Sequence, residues 1–253
     1  MEFVQLSGLR GDGRRGSEVR KVRCSFGPVS DSDGSAMLDQ GLTKVLVCVY
    51  GPREVAQRSD ALHDRAIVKC EVSQAPFSTT ERRRRRPGDR RSLAISSFVE
   101  DTFSQVIQTE LFKRSQIDIT VHILQADGGV LAACVNATTL ALVHAGVPMS
   151  DFITACNVGY LDHTVLLDLN HMEELAGGPE VALTVLPKTN KILTMRMASS
   201  SVRVTEELLQ QLLSEAQAGC QLIHKVLDSK VRELVATSIR KRDEKNHDHS
   251  MKA

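Results

Sequence analysis

The segment that most constrains this chain is VLAACVNATTLALVHA, residues Val130–Ala145. Nearly every position is apolar or small, so the run predicts a helix with no polar face, and such a helix must be enclosed by other elements. Gly146-Val147-Pro148 ends the run with a glycine and then a proline, as helices commonly end. Ahead of it, Ala126-Asp127-Gly128-Gly129 joins the helix to a predicted strand, Ile117–Gln125, in which Ile117, Ile119, Val121 and Ile123 alternate with Asp118, Thr120, His122 and Leu124.

Around this centre the pattern mixes strands and helices without strict alternation. Strands are expected at Val19–Phe26, Ser35–Asp39, Thr43–Tyr50 and Ala66–Ser73, and Gly51-Pro52 should stop the third. Ile95, Val99, Phe103, Ile107 and Leu111 recur at intervals of four and predict one amphipathic helix of about six turns, capped by Asp89. Further strands are expected at Ile153–Leu161, Thr164–Leu169, Val181–Pro187 and Lys191–Arg196. Thr205 should cap a long helix from Glu206 to about Ile239. The reading is one α+β domain over residues 1–239, a mixed sheet with packed helices, followed by a flexible charged tail at 240–253.

With 253 residues the chain can bury one full core. A formal net charge of +1 argues for neither nucleic-acid nor membrane binding from global balance, so the local distribution of charge matters more. The six cysteines show no CxxC spacing, and five lie in apolar surroundings, which suits buried free thiols in a reducing compartment. No apolar run reaches membrane-spanning length, and MEFVQLSGLRGDGRRG lacks the apolar stretch of a signal peptide, so a cytosolic or nuclear protein is expected.

Four groups of residues could carry chemistry. Arg90 and Arg91 follow Asp89 in the first turn of a predicted helix, where the macrodipole disfavours cations; they suit an RNA phosphate, or a solvated loop end. Arg82 to Arg86 could neutralise phosphates, act as a nuclear import signal, or form a charged loop that touches nothing. Asp162 and Asp168 would stand roughly 20 Å apart on a straight strand; a turn at Asp162-His163 would bring them closer, where a pair could hold Mg²⁺ or serve as a general acid. The plainer reading is a turn aspartate and a strand-end aspartate. Gly128-Gly129 could let the backbone approach an anion at the helix start, or could form a corner filled by Val130 and Leu131.

The motifs LRGDGRR (9–15), YGPREV (50–55), FSTTERRRRRPGDRRS (77–92), SQIDITVHILQADGG (115–129), NATTLALVHAGVPMSDF (136–152) and VGYLDHTVLLDLNHMEE (158–174) occur in this order. In that order the chain, from about residue 6 to 237, resembles RNase PH-type proteins, and among them the core ring subunits of the eukaryotic RNA exosome. The resemblance implies a ribosomal-protein-S5-like α+β fold, assembly with other RNase PH-like exosome subunits in a six-membered ring around a channel, RNA-binding cap proteins, and single-stranded RNA as ligand. It implies no membrane partner. Active members degrade RNA from its 3′ end by phosphorolysis. By resemblance Arg90 and Arg91 grip RNA phosphates, Arg58 reaches toward the channel, Asp162 and Asp168 are the acidic pair, and Asp168 is the candidate metal-associated group.

Active relatives follow the glycine at 129 with a hydroxyl residue and an arginine; this chain has Val130-Leu131. Charge-assisted hydrogen bonds contribute about 1.5–3 kcal/mol each, and one transition-state donor about 10²–10³ in rate. The expectation is therefore a ring subunit that binds RNA without catalysing its phosphorolysis, with an associated hydrolytic nuclease supplying chemistry and no cofactor required. Gly128, Gly129, Val130 and Leu131 would be a vestigial phosphate cradle. Two alternatives remain: a phosphorolytic 3′-to-5′ exoribonuclease using inorganic phosphate and Mg²⁺, and a scaffold whose arginines meet acidic neighbours. The family resemblance further implies residence in the nucleus and nucleolus and also in the cytoplasm.

Overall fold

The computed structural model describes residues 3–5, 8–55, 61–82, 88–199 and 203–251, with side chains as far as residue 240. Five strands, β1 (Val22–Phe26), β2 (Gly34–Gln40), β3 (Thr43–Glu54), β4 (Ile67–Gln74) and β5 (Ser115–Gln125), form a mixed sheet in the order β1-β2-β3-β5-β4. Only β4 and β5 run parallel, and α1 (Arg90–Ser104) makes the crossover between them and packs on β4. A second, antiparallel sheet has the order β7-β6-β8-β9, built from β6 (Thr154–Leu161), β7 (Thr164–Leu167), β8 (Glu180–Leu186) and β9 (Lys191–Ala198).

Helix α2 (Val130–Ala145) lies between the sheets, packed on β2 and β3 of one and β6 and β8 of the other. Its burial follows the sequence: of the thirteen positions from Val130 to Leu142 all but Leu131 are buried. One continuous apolar core joins both sheets through α2, so the two sheets share a single folding unit among the described residues. Helix α4 (Glu206–Met251) covers β6 and β8, and the Thr205 hydroxyl accepts from the Leu208 N–H at 3.4 Å, the predicted cap. Five of the six cysteines are buried and all are free thiols; burial pushes Cys134 and Cys220 up to about 12.

Several boundaries differ from the sequence reading. β3 continues past Gly51-Pro52, because a bulge between Tyr50 and Arg53 takes up the two residues without ending the pairing to β5. The six-turn helix stops at Ser104: Val106 and Ile107 are buried, Ile107 bridges to Met149, and Ser150 N–H donates to Val106 O. Two β-branched residues drawn into strand-like pairing override the four-residue periodicity, and Leu111 ends in a short 3₁₀ turn, exposed. Helix α4 runs on to Met251 through the segment expected to be a flexible tail, since extending an established helix fixes one residue per added hydrogen bond. A short helix, α3 (His171–Leu175), had no counterpart in the sequence reading.

Gly34 marks the closest approach of β2 to α2: a Cβ there would lie 2.5 Å from both the Cβ and the backbone nitrogen of Ala145. Gly34→Ala should therefore force the helix outward and destabilise the chain by about 1–3 kcal/mol. Gly11→Ala, with nothing within 4 Å of the added carbon, should change stability by less than about 0.5 kcal/mol. Denaturant titration of the purified variants checks both.

Candidate functional site

The site is built where three chain segments meet at the start of α2. Gly128 and Gly129 both have left-handed backbone conformations, φ +73° and +62°, and Gly129, the N-cap residue, has no side chain with which to cap the helix. The corner is held from outside. Arg20 Nη1 donates to Asp127 O at 2.5 Å and Nη2 to Gly128 O at 3.1 Å. The Thr43 hydroxyl donates to Gly128 O at 2.7 Å and accepts the Asp127 N–H at 3.1 Å.

The same arginine encloses Asp168. Its backbone N–H and Nε reach Asp168 Oδ2 at 2.9 and 3.0 Å, and Nη2 reaches Oδ1 at 2.6 Å. Asp168 is fully buried. Burial pushes its carboxyl up, but the hydrogen bonds and charge of Arg20 prevail and hold it below the ordinary value. Arg10, 1% exposed, supports the segment from behind: it pairs with Glu173 and donates to Leu167 O at 2.5 Å and Asp168 O at 3.1 Å.

Two expectations about the acidic pair need correction. The turn at Asp162-His163 forms, with both residues at positive φ and Leu161 opposite Thr164 in register, a two-residue hairpin. It does not unite the acids: Asp162 sits at the hairpin tip and Asp168 beyond the far end of β7, four strand residues away, roughly 13 Å at 3.3 Å per residue. Asp162 instead accepts the backbone N–H groups of Phe3 at 2.7 Å and Val4 at 3.3 Å, anchoring the first described residues. Asp168 is unsuited to a metal, because Arg20 spans both of its oxygens in the interior. Among the described residues no three His, Cys, Asp or Glu side chains gather in a metal-holding group.

The acid that does approach the cradle is Glu174. Its Oε1 accepts the Gly129 N–H at 2.6 Å and lies 3.4 Å from Asn157 Nδ2. Burial pushes its carboxyl up, against the Gly129 hydrogen bond and the charges of Arg91, Arg20 and His171. Arg91 also acts on Glu180, which burial and the neighbouring Glu174 push up. Arg91, whose charge acts on both acids, and Arg90 begin α1; both are exposed. Asp89 precedes the helix, but its carboxylate caps no N–H. Val130 is buried and Leu131 half-buried in the core. Arg82 is exposed, whereas Arg58 and Arg83 to Arg86 lie outside the described residues.

The glycines admit the chain's own atoms. A Cβ on Gly128 would lie 2.5 Å from Leu169 O, and one on Gly129 2.6 Å from Arg20 Nη2. Of the residues that sequence reading missed, Glu173 carried a readable signal: Asn170-His171-Met172-Glu173 is a capping box, and its reciprocal hydrogen bonds are formed. Arg20 carried none, since its partner is 148 positions away.

Two family models match the chain: the 3′ exoribonuclease family domain 1 over residues 18–148, and domain 2 over 151–219. The chain belongs to the RNase PH family. Within the family it is similar to Exosome complex component RRP41 of Mus musculus, 48% identical over 93% of this chain and 95% of that protein. It is likewise similar to the Exosome complex component RRP41 homolog of Arabidopsis thaliana, 45% identical over 92% of this chain and 98% of that one. The crystal structure of rice Rrp46 shares the fold, with TM-score 0.77 at 22% identity, covering 88% of this chain and all of that one. The α+β RNase PH fold expected from the sequence is thus the fold of this chain.

The electrostatics give two stability predictions. Asp168 has a folded value below 3.8, so its contribution is present above 3.8 and lost as pH falls through the lower folded value. Arg20→Met should remove about 3–5 kcal/mol at neutral pH by leaving the carboxylate buried and unpaired, and Arg20→Met/Asp168→Leu should regain much of that. Glu174 behaves oppositely: its folded value lies above 4.5, so stability falls as pH rises through it. Glu174→Gln should match the wild type near pH 4 and exceed it at pH 7. Chemical denaturation across pH 3–8 reads out both.

Proposed function

We propose that this chain is a core ring subunit of the RNA exosome that contacts single-stranded RNA through Arg90 and Arg91 and does not itself carry out phosphorolysis. The observation that carries this reading is the cradle at the start of α2. Val130 and Leu131 offer it no hydroxyl or guanidinium, and Arg20 and the Leu169–His171 backbone fill the space beside its glycines. Attack on a phosphodiester needs a bound, oriented phosphate and positive groups on the developing charge. Val130 and Leu131 supply neither to a ligand. RNA contact, by contrast, needs only exposed cations, and Arg90 and Arg91 are exposed at the N-terminus of α1.

The relatives' name, exosome complex component, supports a place in that complex; in this reading its partners there are RNase PH-like neighbours in a six-membered ring, RNA-binding cap proteins and an associated hydrolytic nuclease. No cofactor is required in this reading. The subunit works in the nucleus and nucleolus and also in the cytoplasm.

One observation favours the second reading, an active phosphorolytic enzyme: Glu174 and Asp168 both lie beside Gly129, and the charge of Arg91 acts on Glu174. Incubating the reconstituted ring with single-stranded RNA, with and without inorganic phosphate, separates the two. No phosphate-dependent release of nucleoside diphosphate is expected. Crosslinking to RNA should drop several-fold in Arg90→Ala/Arg91→Ala, with a salt slope shallower by about two phosphate contacts. Release abolished by Asp168→Asn would establish the enzyme instead, and crosslinking unchanged by the arginine variant would leave only a scaffold.

A further inference from the structure

Past the pair Phe26 and Ala36, β1 turns away from β2 at Gly27, whose φ is +69°. The Gly27 N–H still donates to Ser35 O at 2.9 Å, but the reciprocal donor, the Ser35 N–H, goes to a helix instead: His144 Nδ1, in the last turn of α2, accepts it at 3.1 Å. The imidazole thus stands in for the carbonyl that would complete an antiparallel pair. We propose that His144 is a pH-sensitive latch, which holds the start of β2 and the loop 27–33 on the end of α2 while its ring is neutral and releases them when the ring takes up a proton.

The contact can be made in one charge state alone. A ring nitrogen accepts a hydrogen bond only when it carries no proton, so Nδ1 bears the lone pair and Nε2 the hydrogen. Protonation makes Nδ1 a donor and sets two N–H groups against each other. Ser35 is fully buried, so its N–H has no solvent to turn to. The ring is also confined where it lies: Cε1 and Nε2 are 3.6 Å from a Cβ built on Gly27, and the Phe26 ring centroid is 6.1 Å away. The last turn of a helix suits a cation, which gives the charged ring a favourable place once it has let go of Ser35.

The latch holds more than one bond. The Ser35 hydroxyl donates to Val29 O at 3.0 Å and accepts the Val29 N–H at 3.2 Å, so the loop is tied to the residue that the imidazole fixes. On its other side Asp33 accepts the Gly51 N–H at 2.8 Å. No neighbouring charge substitutes for His144. Of the side chains that β1, β2 and β3 turn to α2, Cys24 alone is titratable, and burial pushes its thiol up. Lys230 and Glu233 of α4 pair with each other near Cys24, Asp151 beyond α2 pairs with Lys188, and Asp31 and Asp33 of the loop are exposed. Among the described residues none of these pairs with the imidazole.

Hydrogen exchange of the Ser35 amide in the full chain, followed by NMR from about pH 8 to about pH 5 and corrected for the intrinsic pH dependence of exchange, reads the latch. The forms compared are the wild type, His144→Asn, whose Oδ1 takes the place of Nδ1 without titrating, and His144→Ala, which offers no acceptor. Wild-type protection should fall at least about tenfold toward acid, the scale of a buried amide that has lost its acceptor, and should end near that of His144→Ala. His144→Asn should stay within about twofold across the range, and the Val47 amide, in the middle of the same sheet, should not move in any form. Should His144→Asn not fold, the nitrogen-15 shift of Nδ1 in the wild type supplies the same decision: Ser35 protection must change at the midpoint of the His144 ring. Wild-type protection that is flat with pH, a loss shared equally by His144→Asn, or a midpoint that departs from that of the ring overturns the inference.

Discussion

The interaction on which the rest depends is the pairing of Arg20 with Asp168. One guanidinium meets a fully buried carboxylate and two backbone carbonyls of the Asp127-Gly128 corner. It ties the entry of α2 to the end of β7, and so ties the first sheet to the second. Burial disfavours each charge singly, and only their mutual hydrogen bonds make the arrangement tolerable. The positive φ of Asp168 and the two left-handed glycines belong to the same constraint, because the segments approach one another closely only in those conformations.

That constraint changes what the acidic and glycine motifs mean. Asp168 looks from sequence like a group for chemistry at a surface, but it is a structural counter-ion with no exposed atom. Asp162 looks like its partner and turns out to hold the amides of Phe3 and Val4. Glu174, which nothing in its immediate spacing singles out, is the acid that reaches the helix entry. The residues nearest the Gly128-Gly129 corner are therefore satisfied by one another, and the arginines of α1 remain turned to solvent.

How much of this was legible depended on the range of the interaction involved. The enclosed helix was readable with both ends correct, because its apolar run and its glycine and proline boundaries are local signals. The strands around it were readable to within a few residues for the same reason. The end of α1 was not, because its four-residue periodicity continues through Val106 and Ile107 while a bridge to Met149 draws the backbone away. Arg10 and Arg20 gave no sign of burial in their own neighbourhood; a charged residue enters a core only when a distant partner is there to receive it. Family resemblance supplied the location of the site, and geometry alone supplied its occupants.

The span between Arg20 and Asp168 has a consequence for how the molecule comes into being. A chain leaving the ribosome exposes Arg20 early, yet the carboxylate that pairs with it follows 148 residues later. Until then the first sheet lacks the group that fixes the entry of α2, and the apolar flank of α2 that packs on β6 and β8 is uncovered. Contacts of such long separation close late and slowly, after the loop entropy between them has been overcome. The first half of this protein is thus a nascent intermediate with a large unshielded apolar face, and its protection during synthesis is a requirement set by topology.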